Sequence, residues 1–169
     1  MSDYIFIRKA SELQTADHIS WPTQFSSGIL EHHAIVVAWK GDNNFKIIHL
    51  RTSGAYKVWA ACGFGSSDCY SVIEEIVDFA EPIKNGQLRR YNYAANDCSE
   101  PVDVIENARK KRGKYNYNAL TDNCEHFARL CKSGNKKSYQ AEDAAIGGGV
   151  SAALAVTSGA VAAYFLGKK

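Results

Sequence analysis

No sign of charge dominates this chain. Its 20 lysines and arginines face 18 aspartates and glutamates, a formal balance of +2 across 169 residues, which excludes the basic field that nucleic-acid binding calls for. Positive residues cluster only at Arg109-Lys110-Lys111-Arg112, a run that reads as the solvated face of a helix. The five cysteines form no CxxC pair and are odd in number. Cys62 and Cys69 flank Gly63, Gly65 and Ser66-Ser67, yet no matching Cys/His pair follows at zinc-finger spacing, so a loop with incidental thiols is expected and no metal or cofactor is. Met1-Ser2-Asp3-Tyr4 does not open a signal peptide, and free thiols in a reducing, cytosol-facing compartment are the expectation. With 46% hydrophobic and 22% charged side chains, the chain suffices for one domain that buries its own core.

What is present centres on Thr121-Asp122-Asn123-Cys124-Glu125-His126-Phe127. The pattern predicts a helix with Asp122 as N-cap and Glu125 three residues on completing a capping box, which places Cys124 in the first turn. Backbone N–H groups and the helix dipole there stabilise a thiolate, so the thiol is expected to ionise below its free value of roughly 8.5. Cys124 is therefore a candidate nucleophile, although a small buried cysteine is the commoner use of the residue. Its candidate companions lie upstream in two apolar segments, Glu31-His32-His33-Ala34-Ile35-Val36-Val37 and Phe45-Lys46-Ile47-Ile48-His49-Leu50. A thiol, a base and a group that orients the base form the usual nucleophile constellation.

Along the chain, Tyr4 to Ile7 can add a short strand, and Asp17-His18-Ile19-Ser20-Trp21 alternates as a half-buried strand does until Pro22. His33 to Trp39 and Phe45 to Leu50 read as a hairpin around Gly41-Asp42-Asn43-Asn44. Strand alternation forbids His32 and His33 from facing Cys124 together, and the pattern alone does not choose between them. Ala55 to Ala60 and Gln87 to Tyr93 read as strands, and Tyr70 to Phe79 fits strand or short helix equally. Pro101 opens a helix with Ser99 as N-cap and a stripe of Val102, Ile105, Ala108 and Lys111 ending at Gly113. Phe127 and Leu130 should anchor the Cys124 helix on the sheet.

Asn123-Cys124-Glu125-His126-Phe127, His32 ahead of a short apolar strand, and His49 within Ile48-His49-Leu50 together resemble the lecithin:retinol acyltransferase domain, or H-box/NC group. That group includes the HRAS-like suppressor phospholipases/acyltransferases. The likeness runs from about Ala16 to Gly134. It implies an α+β fold, a small antiparallel sheet packed against helices in a permuted NlpC-type/papain-like thiol hydrolase core. It further implies Cys124 as nucleophile, His32 as general base and His49 as the group that orients the base, with His33 on the opposite face. His18 has no partner in the family motif, and His126 is given a structural hydrogen bond. The implied chemistry is thioester-mediated acyl transfer from a glycerophospholipid to water, an amine or a hydroxyl. A cysteine peptidase or amidase on the same fold, or a non-enzymatic membrane-associated interaction protein, are the alternatives.

The organisation expected is an N-terminal segment 1–15, a catalytic domain 16–135, a linker 136–143 and a C-terminal apolar helix 144–169. Ala144 to Leu166 is 23 residues without a charge, followed by Gly167-Lys168-Lys169. As a helix it would rise about 34 Å, enough for a hydrocarbon core of about 30 Å. Gly147, Ser151, Ala155, Gly159, Ala163 and Gly167 recur every four positions, a face suited to self-association. The expectation is a tail anchor that holds the domain on the cytoplasmic face of intracellular membranes.

Overall fold

The protein is described from a computed structural model, over residues 3–22, 31–52, 70–118 and 122–139. Among these residues the strands are β1 (Tyr4–Phe6), β2 (His18–Pro22), β3 (Glu31–Trp39), β4 (Asn44–Thr52), β5 (Tyr70–Asp78), β6 (Arg89–Tyr91) and β7 (Gly113–Lys114). The helices are α1 (Ala80–Lys84), α2 (Pro101–Lys110) and α3 (Cys124–Ser133). The strands form one antiparallel sheet in the order β1-β6-β2-β3-β4-β5-β7. The α+β class holds. At seven strands the sheet is larger than the small one expected, because β1 and β6 extend one edge and β7 the other.

Both faces of the central strands are covered, which is why His33 through Val36 are all buried and why alternation is faint in the β3 sequence. On one face Ile35, Ile48, Leu50 and Val72 pack against Val104, Ile105 and Ala108 of α2 and Phe127, Ala128 and Cys131 of α3. On the other, Ala34, Val36, Phe45 and Ile47 pack with Ile7, Leu13, Phe79, Ile83 and Leu88. The expected N-terminal segment thus contributes core residues as well as an edge strand. Glu74 of β5, on the α2 side, bonds the Arg109 guanidinium through both oxygens, at 3.2 and 3.0 Å, and ties that helix to the sheet.

The Tyr70–Phe79 stretch, open between strand and helix, is strand β5, held on β4 from Asn44–Asp78 to Thr52–Tyr70. The Gln87–Tyr93 strand shrinks to β6. Ser99 does not cap α2: Glu100 takes that position without a side-chain bond, and the Ser99 N–H donates to the Lys132 carbonyl instead. Val102 is 72% exposed, and Val104 replaces it in the buried stripe with Ile105 and Ala108. The strand expected at Ala55–Ala60, the loop with Cys62 and Cys69, and the 144–169 segment lie outside the described residues. Among the described residues, no helix is long and apolar enough to cross a membrane.

Candidate active site

Cys124 is the first residue of α3, one position nearer the cap than the pattern suggested. The N-cap is Asn123, not Asp122. The Asn123 side-chain oxygen accepts from the backbone N–H groups of Glu125 and His126, both at 3.0 Å, and Nδ1 of His126 accepts the Asn123 N–H at 3.2 Å. This is a reciprocal capping box with His126 where glutamate is usual. Asp122 is drawn away by the Tyr115 hydroxyl and by Lys136 at 2.7 Å. Glu125, the expected box partner, is buried and holds Arg129 at 2.8 Å and the Ser138 hydroxyl at 2.7 Å. The structural bond expected of His126 is therefore the cap itself.

The sulfur of Cys124 donates to the Glu31 carbonyl at 3.6 Å. The backbone N–H of His33 also points at it, as do those of Cys124 and Glu125. Glu31 and His33 are the two residues that flank His32. They lie on the part of β3 that pairs with β2, while the β3–β4 ladder begins only at Ala34–His49. The sulfur thus meets β3 where β4 has parted from it.

Those N–H groups favour the thiolate, yet the thiol is pushed up to about 11, because burial outweighs them and Glu125 adds to the rise. The expected depression of the thiol value is overturned: a dipole contribution of roughly 1 kcal/mol is smaller than the cost of placing a bare thiolate in an apolar pocket.

His32 and His49 are together. Nε2 of His32 lies 2.7 Å from Nδ1 of His49, and the rings meet edge to face. His49 Nε2 donates to Glu75 at 2.8 Å, and the other Glu75 oxygen accepts from Arg51 at 2.7 Å. The Trp21 indole closes over the His32 ring at 4.9 Å between centroids. Burial, followed by His49, holds the His32 imidazole well below its usual value. His49 is also lowered by burial, with Glu75 opposing.

By strand alternation His32 and His49 share the face of Ala34, Phe45 and Ile47, whereas α3 covers the face of Ile35 and Ile48. His33 lies on the α3 side with Cys124, and His32 on the other, the reverse of the facing that the resemblance implied. Among the described residues the His32 ring makes no hydrogen bond to the Cys124 sulfur. On the α3 side His33 meets His18: Nε2 of His18 is 2.9 Å from Nδ1 of His33, and Nδ1 of His18 is 2.7 Å from the Tyr93 hydroxyl. His18, without a partner in the motif, has two in the fold and is wholly buried. Two histidine pairs therefore sit back to back across β3, and the Cys124 sulfur meets the start of that strand at the Glu31 carbonyl.

Glu75 and Arg51 went unread in the sequence. The signal was a carboxylate in phase with Ile73 and Val77, in a strand whose register against β4 is set only by the fold. Among the described residues, no cluster of His, Cys, Asp and Glu is arranged to hold a metal ion.

The lecithin retinol acyltransferase family model matches residues 11–137. The chain belongs to the lecithin retinol acyltransferase family. The match takes in β2 to β7 and all of α3. Comparison with curated proteins finds no match. Membership in the lecithin retinol acyltransferase family points to acyltransferase- or phospholipase-type activity on lipid substrates.

Proposed function

We propose that the protein is a thiol-dependent acyltransferase or phospholipase A that acts on glycerophospholipid acyl esters through a thioester on Cys124. The observation that carries this reading is a thiol at the first position of a capped helix, with its sulfur against the peptides that flank a histidine already bonded to a second histidine. His32 is the general base and acid, and His49 orients it. The core is read as a permuted NlpC-type/papain-like arrangement.

Burial keeps the thiol protonated and the imidazole neutral at rest. The pair therefore starts uncharged, and proton transfer accompanies attack. As the sulfur bonds the ester carbonyl carbon, His32 takes the thiol proton, and the negative charge that develops on oxygen faces the Cys124 N–H, the first-turn donor that the Asn123 cap does not use. Collapse breaks the acyl C–O bond, and His32 returns the proton to the departing lysophospholipid oxygen. Water, an amine or a hydroxyl then attacks the thioester, gives its proton to His32, and the thiol is restored as the acyl product leaves. The His32 ring, which lies across β3 from α3 in the structure, must come past the strand edge to within hydrogen-bond reach of the sulfur when substrate binds.

The test is intact-protein mass spectrometry of the full chain with phosphatidylcholine vesicles, beside Cys124→Ala and an assay of lipid products. An acyl adduct on the parent alone, with fatty acid or acylated acceptor appearing, supports the reading. Cleavage of soluble peptides or amides without an acyl-lipid adduct selects the peptidase alternative. Silence toward both, from folded protein, leaves the interaction-protein reading. For the 144–169 segment we propose a tail anchor on the cytoplasmic face of intracellular membranes, with self-association through its small-residue face. Residues 140–169 fused to a fluorescent reporter should collect on membranes, and a diffuse cytosolic signal would end that proposal.

A further inference from the structure

The His32–His49 pair does not end at His49. Glu75, one strand further out on β5, lies 2.8 Å from His49 Nε2 and is itself held by Arg51 at 2.7 Å. A carboxylate only accepts, so the His49 nitrogen facing it carries the proton. A neutral imidazole has one N–H, which leaves Nδ1 of His49 as an acceptor. The atom 2.7 Å from that acceptor is Nε2 of His32, which must therefore be the N–H of its ring. The lone pair of His32 falls on Nδ1, the nitrogen nearer its own backbone, and the backbone on either side of His32 is where the Cys124 sulfur lies.

We propose that Glu75, clamped by Arg51, is a positioning residue of this site: through His49 it sets the tautomer of His32 and so makes Nδ1 the base atom. The inference rests on the Cys124–His32 reading for its catalytic meaning, while the tautomers themselves stand on geometry alone. The groups that face the pair are Glu75 from β5, Arg51 from β4 and Trp21 from β2, with His33 behind the strand. When His32 takes the thiol proton on Nδ1, its Nε2–H keeps pointing at His49, and the Glu75 charge stabilises the imidazolium through that ring. No ring has to turn over during the reaction. A serine-type triad uses a buried carboxylate in direct contact with the base for the same purpose. Here the carboxylate stands one imidazole further away and is 30% exposed, so its effect should be smaller.

The test is long-range proton–nitrogen NMR on full-length protein with labelled histidine, at about pH 8, above the ordinary imidazole value of roughly 6.5. Signals are assigned with His32→Gln and His49→Gln. Both rings of the parent are expected as Nε2–H tautomers. Glu75→Gln, whose amide can donate as well as accept, should mix the tautomers of His49 and His32. It should also slow acylation of Cys124 on the order of tenfold, well short of the roughly 10⁴-fold loss when the direct partner of a triad imidazole is neutralised. Arg51→Gln should have the same effect to a smaller degree.

A parent His32 protonated on Nδ1 overturns the proposal whatever any variant does. So does a folded Glu75→Gln protein with unchanged tautomers and acylation rate. Failure of the functional reading looks different: the tautomers are as expected, yet neither parent nor variant is ever acylated.

Discussion

At the scale of single residues, one cause acts on the two reacting groups in opposite directions. Burial lifts the Cys124 thiol to about 11 and drives the His32 imidazole down, so each is neutral before substrate arrives. Alkylation of the resting protein by iodoacetamide should accordingly be slow at neutral pH and climb toward about pH 11; a plateau already reached near pH 7 would show a preformed thiolate and refute the neutral pair. The neutral start makes the base indispensable, because a thiol that does not ionise alone needs its proton removed during attack. His32→Gln should lower acylation by roughly 10² to 10⁴-fold, the usual worth of a general base. His33→Gln should leave most of the activity and instead weaken the fold, since its ring belongs to the pair with His18. If His33→Gln is the dead variant, the base lies on the α3 face and the roles of the two neighbours are exchanged.

At the scale of elements, the cap of α3 shows what a sequence does and does not disclose. The start of a helix near Asp122–Cys124 was legible from the string of polar residues before an apolar run. The choice of Asn123 over Asp122 was not. It depends on Tyr115 and Lys136 holding the Asp122 carboxylate, and both approach only through tertiary structure. Likewise His126 serves as the box partner because Glu125 is claimed by Arg129 and Ser138. Asn123→Ala removes two accepted bonds and its donation to Ser138 at 3.2 Å. It should cost about 1 kcal/mol from the cap alone, seen as a lower urea midpoint with the slope unchanged. Asp122→Ala should cost less than Asn123→Ala. The reverse ranking would restore the capping box that the sequence pattern predicted.

At the scale of the whole molecule, all five histidines sit below their usual value, and burial is the first cause for each. The hairpin that carries His32 and His49 was legible because its two apolar runs bracket a turn. The partner of His18 was not, because β2 and β3 are joined by a register that brings Ser20 opposite His33 and leaves His18 one step along the same face. The consequence for stability follows from proton linkage. Above about pH 6.5, folded and unfolded chains both hold neutral rings, and the histidines contribute no pH dependence. As pH falls below that value the unfolded chain takes up protons first, while the folded chain resists; for His33 it does so down to about 4. Through this window the unfolded state binds more protons, so stability must fall as pH falls. Asp17 works in the opposite sense, since burial raises its carboxyl, but one carboxyl opposes five imidazoles. Urea unfolding of the full chain should show a lower midpoint at pH 5 than at pH 7.5. His33→Gln should be less stable than the parent at pH 7.5 and lose less between the two. An equal midpoint for the parent at both values would mean that the buried rings already carry protons in the folded state, and that the polar cluster across β3 holds charge which burial alone would expel.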